Sequence, residues 1–284
     1  MTSDATTTSF KPRRPSYRFN LTGRISILVI VAWAAIAILA PYITPYGISD
    51  IVDADYFGPM TLQFPLGTDY LGRDMLSRIL FGARYTVGIS LAATLIACTI
   101  GVTLGMAAAV RGGWFDTVLS RFIDALSSIP SKLFSLVIVA GVGSSFPMLM
   151  LTLGVIYMPG SYRFARALAV NVNTTEFVTV ARIRGEKLSY LIRAEILPNI
   201  IGPVLADVGL RFVFIVLLLS GLSFLGLGVQ PPEADWGSLV RENIGGLPFG
   251  APAVMAPSFA IASLTIAVNL LIDNLPLKIR DRSE

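Results

Sequence analysis

Asp207 and Arg211 lie four residues apart within an otherwise apolar run, and Asp124 and Lys132 lie eight apart within another. A charge at the centre of a bilayer costs at least about 2.5–3.5 kcal/mol, so ionisable residues in such runs are candidate functional positions. The spacing of four sets Asp207 and Arg211 on one helix face in the favourable acid-before-base order, and the chemistry it offers is an intramembrane ion pair. Packing of a helix bundle is the plainer use of that pair. Asp124 and Lys132, two turns apart, are read as reaching for an interface. These residues make no carboxylate chain of the kind a proton pump needs. Bond-making chemistry finds no support either. Without a histidine, no Ser-His-Asp or Cys-His site can be built. The single cysteine, Cys98, supports neither a disulfide framework nor a thiolate metal cluster. There is no G-x-x-x-x-G-K-[ST] phosphate loop, so ATP hydrolysis is not expected of this chain. The densest charge falls in residues 176–199, EFVTVARIRGEKLSYLIRAEILPN, an island between apolar runs whose natural use is to be held by something.

The elements that position these residues are membrane spans. Hydrophobic residues make up 54% of the 284 and charged residues 14%, and the mean hydropathy is +0.71, a composition unlike that of a soluble domain. Six runs approach the roughly 20 residues that cross a bilayer as a helix. They are 25–43, 85–110, 122–143, 147–170, 200–224 and 251–272. The fold class expected is an all-α integral membrane protein of six transmembrane helices. An even number puts both ends on one side. On that side fall Lys11, Arg13, Arg14, Arg18, Arg24, Arg111, Arg121, Arg163, Arg166, Arg182, Arg184, Lys187, Arg193, Lys278, Arg280 and Arg282. The other side receives only Arg73, Arg78, Arg84 and Arg241 among eight carboxylates. The positive-inside rule therefore places both termini and the island in the cytoplasm. The first run is longer than a signal-peptide core and ends in Pro41-Tyr42 rather than a small-residue cleavage site, so it is read as a retained helix behind a cytoplasmic tail of residues 1–24.

Outside the spans, residues 45–84 form a long external loop in which 70–80 has helical spacing and suits a helix lying at the membrane surface or packing on the other spans. Residues 226–250, with Pro231-Pro232 and Trp236, read as an irregular cap over the outer face. Gly88, Gly101, Gly105, Gly141 and Gly143 favour close helix packing, and Pro203 and Pro257 predict kinks. In the island, Asn173 as N-cap and Glu176 three residues on suggest a capping box. Gly185 supplies a left-handed C′ position. The result is a rod of roughly eleven residues, about 16 Å long, with Phe177, Val180 and Ala181 on one face and Arg182 and Arg184 elsewhere. A second helical segment over 187–196 leads to Pro198, suited to the first turn of the next span. A capped rod held at both ends by membrane helices is suited to a partner's groove, and lying on lipid is the rival use.

The island resembles the EAA loop of ATP-binding-cassette (ABC) transporter permeases, E-A-A-x(3)-G-x(9)-I-x-L-P. Ala181, Gly185, Leu197 and Pro198 match it, while Thr179, Val180 and Glu195 depart. Pro65-Leu66-Gly67-Thr68-Asp69, Leu71-Gly72-Arg73-Asp74, Ser77-Arg78 and Gly82-x-Arg84 resemble the external segment of the dipeptide/oligopeptide/nickel branch. So does the Leu222–Gly228 run LSFLGLG with Pro231-Pro232 and Trp236-Gly237 after it. The likeness is to the second permease of such importers.

What the resemblance implies is the type I importer permease fold: a domain of five helices over 85–275 behind the first helix at 25–44, a coupling loop at about 173–198 and a tail at 276–284. Its coupling residues would be Glu176, Phe177, Thr179, Val180, Ala181, Arg182, Gly185, Leu197 and Pro198. The implied partners are a second homologous permease, two ATPase subunits that bind ATP and magnesium, an external solute-binding protein and the lipid bilayer; nucleic acid is not among them. This chain would hold no cofactor. Short peptides are the expected cargo, with nickel chelates, opines or oligosaccharides as alternatives within the class. Leu219 stands where relatives often carry glutamate, which would leave the pathway less acidic. A self-sufficient secondary transporter or channel is the reading from another class, and the sparse intramembrane charges argue against its ion site.

Overall fold

A computed structural model of the chain describes residues 20–275 except 54, 250 and 251. The basic residues Lys11, Arg13, Arg14 and Arg18 of the expected N-terminal tail, Lys278, Arg280 and Arg282 of the C-terminal one, and the start of the sixth run at Ala251 lie outside the described residues. Among those described the chain is helical, with two isolated bridges, Ile51 to Arg73 and Thr68 to Asp74, and no sheet. In order the helices are α1 (Leu21–Ile43), α2 (Met75–Arg111), α3 (Gly113–Ser127), α4 (Ser131–Val142), α5 (Phe146–Asn173), α6 (Glu176–Ile183), α7 (Leu188–Tyr190), α8 (Leu197–Phe224), α9 (Trp236–Asn243) and α10 (Pro252–Asp273). Four helical stretches are long and apolar enough to cross a membrane, α1, α2, Leu188–Phe224 and α10, or five if α3 and α4 form one bent span.

The centre of the bundle is the pair α2 and α5. Gly101 and Gly105 sit against α5 so closely that an added methyl would lie 2.7 Å from the Met158 carbonyl and 2.6 Å from that of Tyr162. Backbone meets backbone there because a hydrogen replaces a side chain. Gly88 and Gly141, expected to do the same, face open space. Around this pair α8 and α4 complete one apolar core through Ile89, Leu149, Leu153, Ile215 and Leu219. A second core joins α1, α2, α8, α9 and α10 around Trp236, where the Trp33 indole donates to Ser263 and meets Trp236 edge-on at 4.7 Å.

Several sequence expectations need correction. The surface helix at 70–80 is not separate: Asp74 caps Ser77 and Met75 begins α2, which runs 37 residues, about 55 Å. Of the two uses its apolar spacing suggests, packing on the other spans is the one realised, through Met75 and Ile79 in the first turns of that long helix. The third run is two helices bent by 81°, because Pro130 sits at the N-cap of α4 and a residue before proline avoids helical geometry. Residues 226–250 include a regular helix, α9, held by a capping box between Asp235 and Ser238. Pro203 and Pro257, where kinks are expected, lie inside α8 and α10. A further irregular turn falls at Leu191–Ile196, a π turn in which Leu197 N–H reaches back five residues to the Ile192 carbonyl. Pro198 has no N–H and crowds the carbonyl four residues back, and the wider turn accommodates it. The second island segment is therefore continuous with the span, as one stretch Leu188–Phe224.

Candidate functional site

At one end of the bundle α6 is built from its capping bonds. Thr175, in extended conformation, occupies the N-cap without a side-chain bond to the helix, its hydroxyl turning back to the Val172 carbonyl at 2.6 Å. Asn173, the expected cap, ends α5 instead. Its amide donates to the Ala109 carbonyl at 3.1 Å and its oxygen accepts from Arg182 Nη2 at 2.7 Å. Arg182 also donates to the Val110 carbonyl at 3.1 Å. The last turn of α2 has carbonyls without helical partners and a negative dipole end. Asn173 and Arg182 satisfy two of them, and so lock α6 beneath α2.

The other end of α6 follows the sequence expectation. Gly185 has φ +78°; its N–H donates to Arg182 and that of Glu186 to Ala181, at 2.9 and 3.2 Å. This is the Schellman pair that a left-handed glycine permits. The rod has eight residues, about 12 Å, shorter than expected because Asn173 and Thr174 stay with α5. Its inner face is Val178 and Ala181, both fully buried, with Phe177 partly buried, against Met106, Ala109, Ala169, Leu191 and Ile196. Val180, expected to share that face, points away, since at 100° per residue it lies nearly opposite Val178. Glu176, Thr179, Val180 and Ile183, spaced i, i+3, i+4 and i+7, form the outward stripe, and Ile183 is 80% exposed. Farther along, Arg184 is exposed and 4.0 Å from Glu186, Leu197 is half-buried, and Pro198 is exposed.

Deeper in the bundle, Asp207 and Arg211 form an ion pair at 2.9 Å, with the Asp207 side chain 4% exposed and that of Arg211 16%. Arg211 lies over Gly160, where an added methyl would come 2.8 Å from its Cζ. Asp124 and Lys132 do not pair with each other. Arg163 approaches Asp124 at 3.8 Å and donates to Ser127 at 3.0 Å. Two cavities meet at the bend: one of about 480 Å³ lined by Lys132, Tyr157 and apolar residues of α8, and a more polar one of about 230 Å³ reached by Ser127, Arg163 and Arg211. Ser131 and Tyr157 line both. Leu219 is fully buried in the apolar core and lines neither cavity.

At the opposite end lies a cluster that sequence reasoning treated only as a motif. Asp69 accepts from Arg73 at 2.7 Å and Arg78 at 2.6 Å, and both arginines reach Glu242 of α9, at 3.2 and 2.8 Å. The signal was present in the spacing 69, 73 and 78, but Glu242 is more than 160 residues away in the chain. Next to it Asp235 is fully buried. Burial pushes its carboxyl above the ordinary range, and the Ser223 hydroxyl and Ser238 groups oppose that rise.

Residues 101–281 match the sequence profile of the family described as binding-protein-dependent transport system inner membrane component. The dipeptide transport system permease protein DppC of Haemophilus influenzae is 31% identical over 94% of this chain and 95% of its own length. The glutathione transport system permease protein GsiD of Pectobacterium atrosepticum is 30% identical over 93% and 89%. The di/tripeptide transport system permease protein DppC of Pseudomonas aeruginosa is 30% identical over 90% and 85%.

Proposed function

This chain belongs to the family of binding-protein-dependent transport system inner membrane components, and we propose that it is the permease subunit through which an ABC importer passes short peptides across the bacterial inner membrane. The observation that carries the reading is the extent of the likeness to peptide permeases, which runs nearly end to end. In this reading the chain crosses six times, by α1, α2, the bent pair α3 and α4, α5, α8 and α10. Both termini are cytoplasmic, which the distribution of Lys and Arg supports. The rod α6 is the coupling helix: Glu176, Thr179, Val180 and Ile183 enter a cleft of an ATPase subunit, while Val178 and Ala181 transmit its movement to α2, α5 and α8. A second permease completes the pathway, two ATPases hold ATP and magnesium, and an external binding protein delivers the peptide. The chain itself moves cargo without making or breaking bonds.

The test is uptake of labelled Ala-Ala by the assembly reconstituted in proteoliposomes. Uptake is expected to require ATP and the ATPase subunits; entry without any ATPase subunit overturns the coupling assignment. Gly185→Pro, incompatible with φ +78° and with the N–H bond to Arg182, is expected to abolish ATPase pull-down while insertion in the membrane persists.

A further inference from the structure

The bend at Pro130 gathers cations around open space. Lys132 has no ion pair among the described residues, and Arg163 is held at its far edge by Ser127 and only loosely by Asp124, which is itself 63% exposed. Arg211 is tethered through Nε and Nη2 to Asp207, leaving Nη1 without a hydrogen-bond partner among the described residues. Gly160 clears the space this guanidinium occupies. Tyr157, whose hydroxyl donates to the Phe214 carbonyl and whose ring stacks on Phe214, forms the wall between the two cavities. Side chains of this kind within membrane helices face a bundle interior or a wet cavity, because hydrocarbon cannot solvate them. Lys132 lines the larger cavity and Arg163 and Arg211 the polar one; across the two, three cations against one firmly bonded carboxylate leave the space positive, and an anion is what it lacks. Together the cavities fall in the size range of small-molecule sites. Guanidinium edges select carboxylates by geometry as well as charge.

Resting on the reading that this chain lines a peptide pathway, we propose that Lys132, Arg163 and the free edge of Arg211 form a transient carboxylate-binding site for the peptide in transit. Its apolar neighbour, walled by Leu217, Leu218 and Leu222, takes the attached residue. No covalent step is involved.

Ser131 lines both cavities and is exposed, so Ser131→Cys in a Cys98→Ala background is a reporter that does not depend on transport. The complete assembly of permeases and ATPases in phosphatidylcholine nanodiscs, which carry no anionic lipid, is treated with methanethiosulfonates bearing either a sulfonate or a trimethylammonium group. Relative to a free thiol, the sulfonate reagent is expected to be favoured by about fivefold or more, as a positive cleft concentrates anions. Lys132→Met with Arg163→Gln should remove that preference, and Lys132→Arg should keep it. Ala-Ala should slow the labelling, and its C-terminal amide should not. A preference that is absent or survives the double substitution, or equal effects of the peptide and its amide, overturns the proposal. In proteoliposomes the double variant should import about tenfold less Ala-Ala per ATP hydrolysed, equivalent to about 1.4 kcal/mol. Thiol chemistry as expected, in an assembly that imports no peptide, would leave the anion site standing and overturn the peptide reading instead.

Discussion

Arg78 illustrates what a single residue does in this molecule. Its side chain is 1% exposed and bonds both Asp69, in the loop before α2, and Glu242 of α9, far apart in sequence. A buried pair adds little net stability over an apolar substitute, but removing one partner strands the others. Arg78→Ala is therefore expected to cost about 3–5 kcal/mol, read as a large fall in the detergent melting temperature. Both bonds leave from Arg78 Nη1, and an ammonium can likewise donate to two carboxylates from one nitrogen, so Arg78→Lys should recover part of the loss; no recovery by lysine would sink this account. Asp235 makes a prediction in pH. Its folded pKa is raised by burial, so the folded state holds the proton more tightly than the unfolded chain. Stability from this group is greatest at low pH and falls as pH climbs from the ordinary carboxylate value through the raised one. Asp235→Asn should flatten that slope in melting curves recorded across the window; an unchanged slope would refute it. At this scale the sequence identified Asp207 with Arg211, whose spacing alone sets them together, and missed Arg78 with Glu242, whose meeting depends on the whole fold. Asn173, expected as the N-cap of α6, ends α5 and accepts from Arg182 instead, because its type suits either helix end and the sequence does not say which one claims it.

At the scale of elements, local rules carried Gly185 and failed on which face of α6 turns inward. Phe177, Val178, Val180, Ala181 and Ile183 are all apolar, so periodicity offers two inward arcs. The bonds from Arg182 to Val110 of α2 and Asn173 of α5 accompany the arc that buries Val178. Val178→Asp should thus unseat the rod by burying a charge among Met106, Ala169 and Ile196, whereas Val180→Asp should leave the fold intact and act on ATPase binding alone. Comparing melting temperature with ATPase pull-down for the two variants separates these effects; similar destabilisation by both would contradict the assigned faces. The long spans were legible because lipid imposes length and apolarity on them. The broken third span was not, since hydropathy sums across Pro130 without registering an 81° turn. The contact of α2 with α5 was legible in the spacing of Gly101 and Gly105, and Gly105→Leu is expected to force the helices apart, collapsing the yield of monodisperse protein in size-exclusion chromatography.

For the molecule as a whole, the stretch Leu188–Phe224 connects the two ends. Its 37 residues span about 55 Å. At one end Leu191 and Ile196 pack on the buried face of α6; at the other the Ser223 hydroxyl donates to Asp235, the cap of α9. Between them lie Asp207 and its partner Arg211, the latter at the wall of the polar cavity. A continuous helix can carry a displacement of α6 past that cavity to the α9 end only if it bends little, and its irregular turn is the π segment at Leu191–Ile196. Replacing Arg193 and Ala194, both exposed, with glycine softens that turn by about 1 kcal/mol per residue without removing a packed side chain. Because α6 itself is untouched, ATPase pull-down should remain and ATP hydrolysis continue, while peptide imported per ATP falls several-fold. If uptake per ATP is unchanged, the stretch is not the rod that links hydrolysis to the pathway, and the link must run through the glycine-tight pair of α2 and α5 instead.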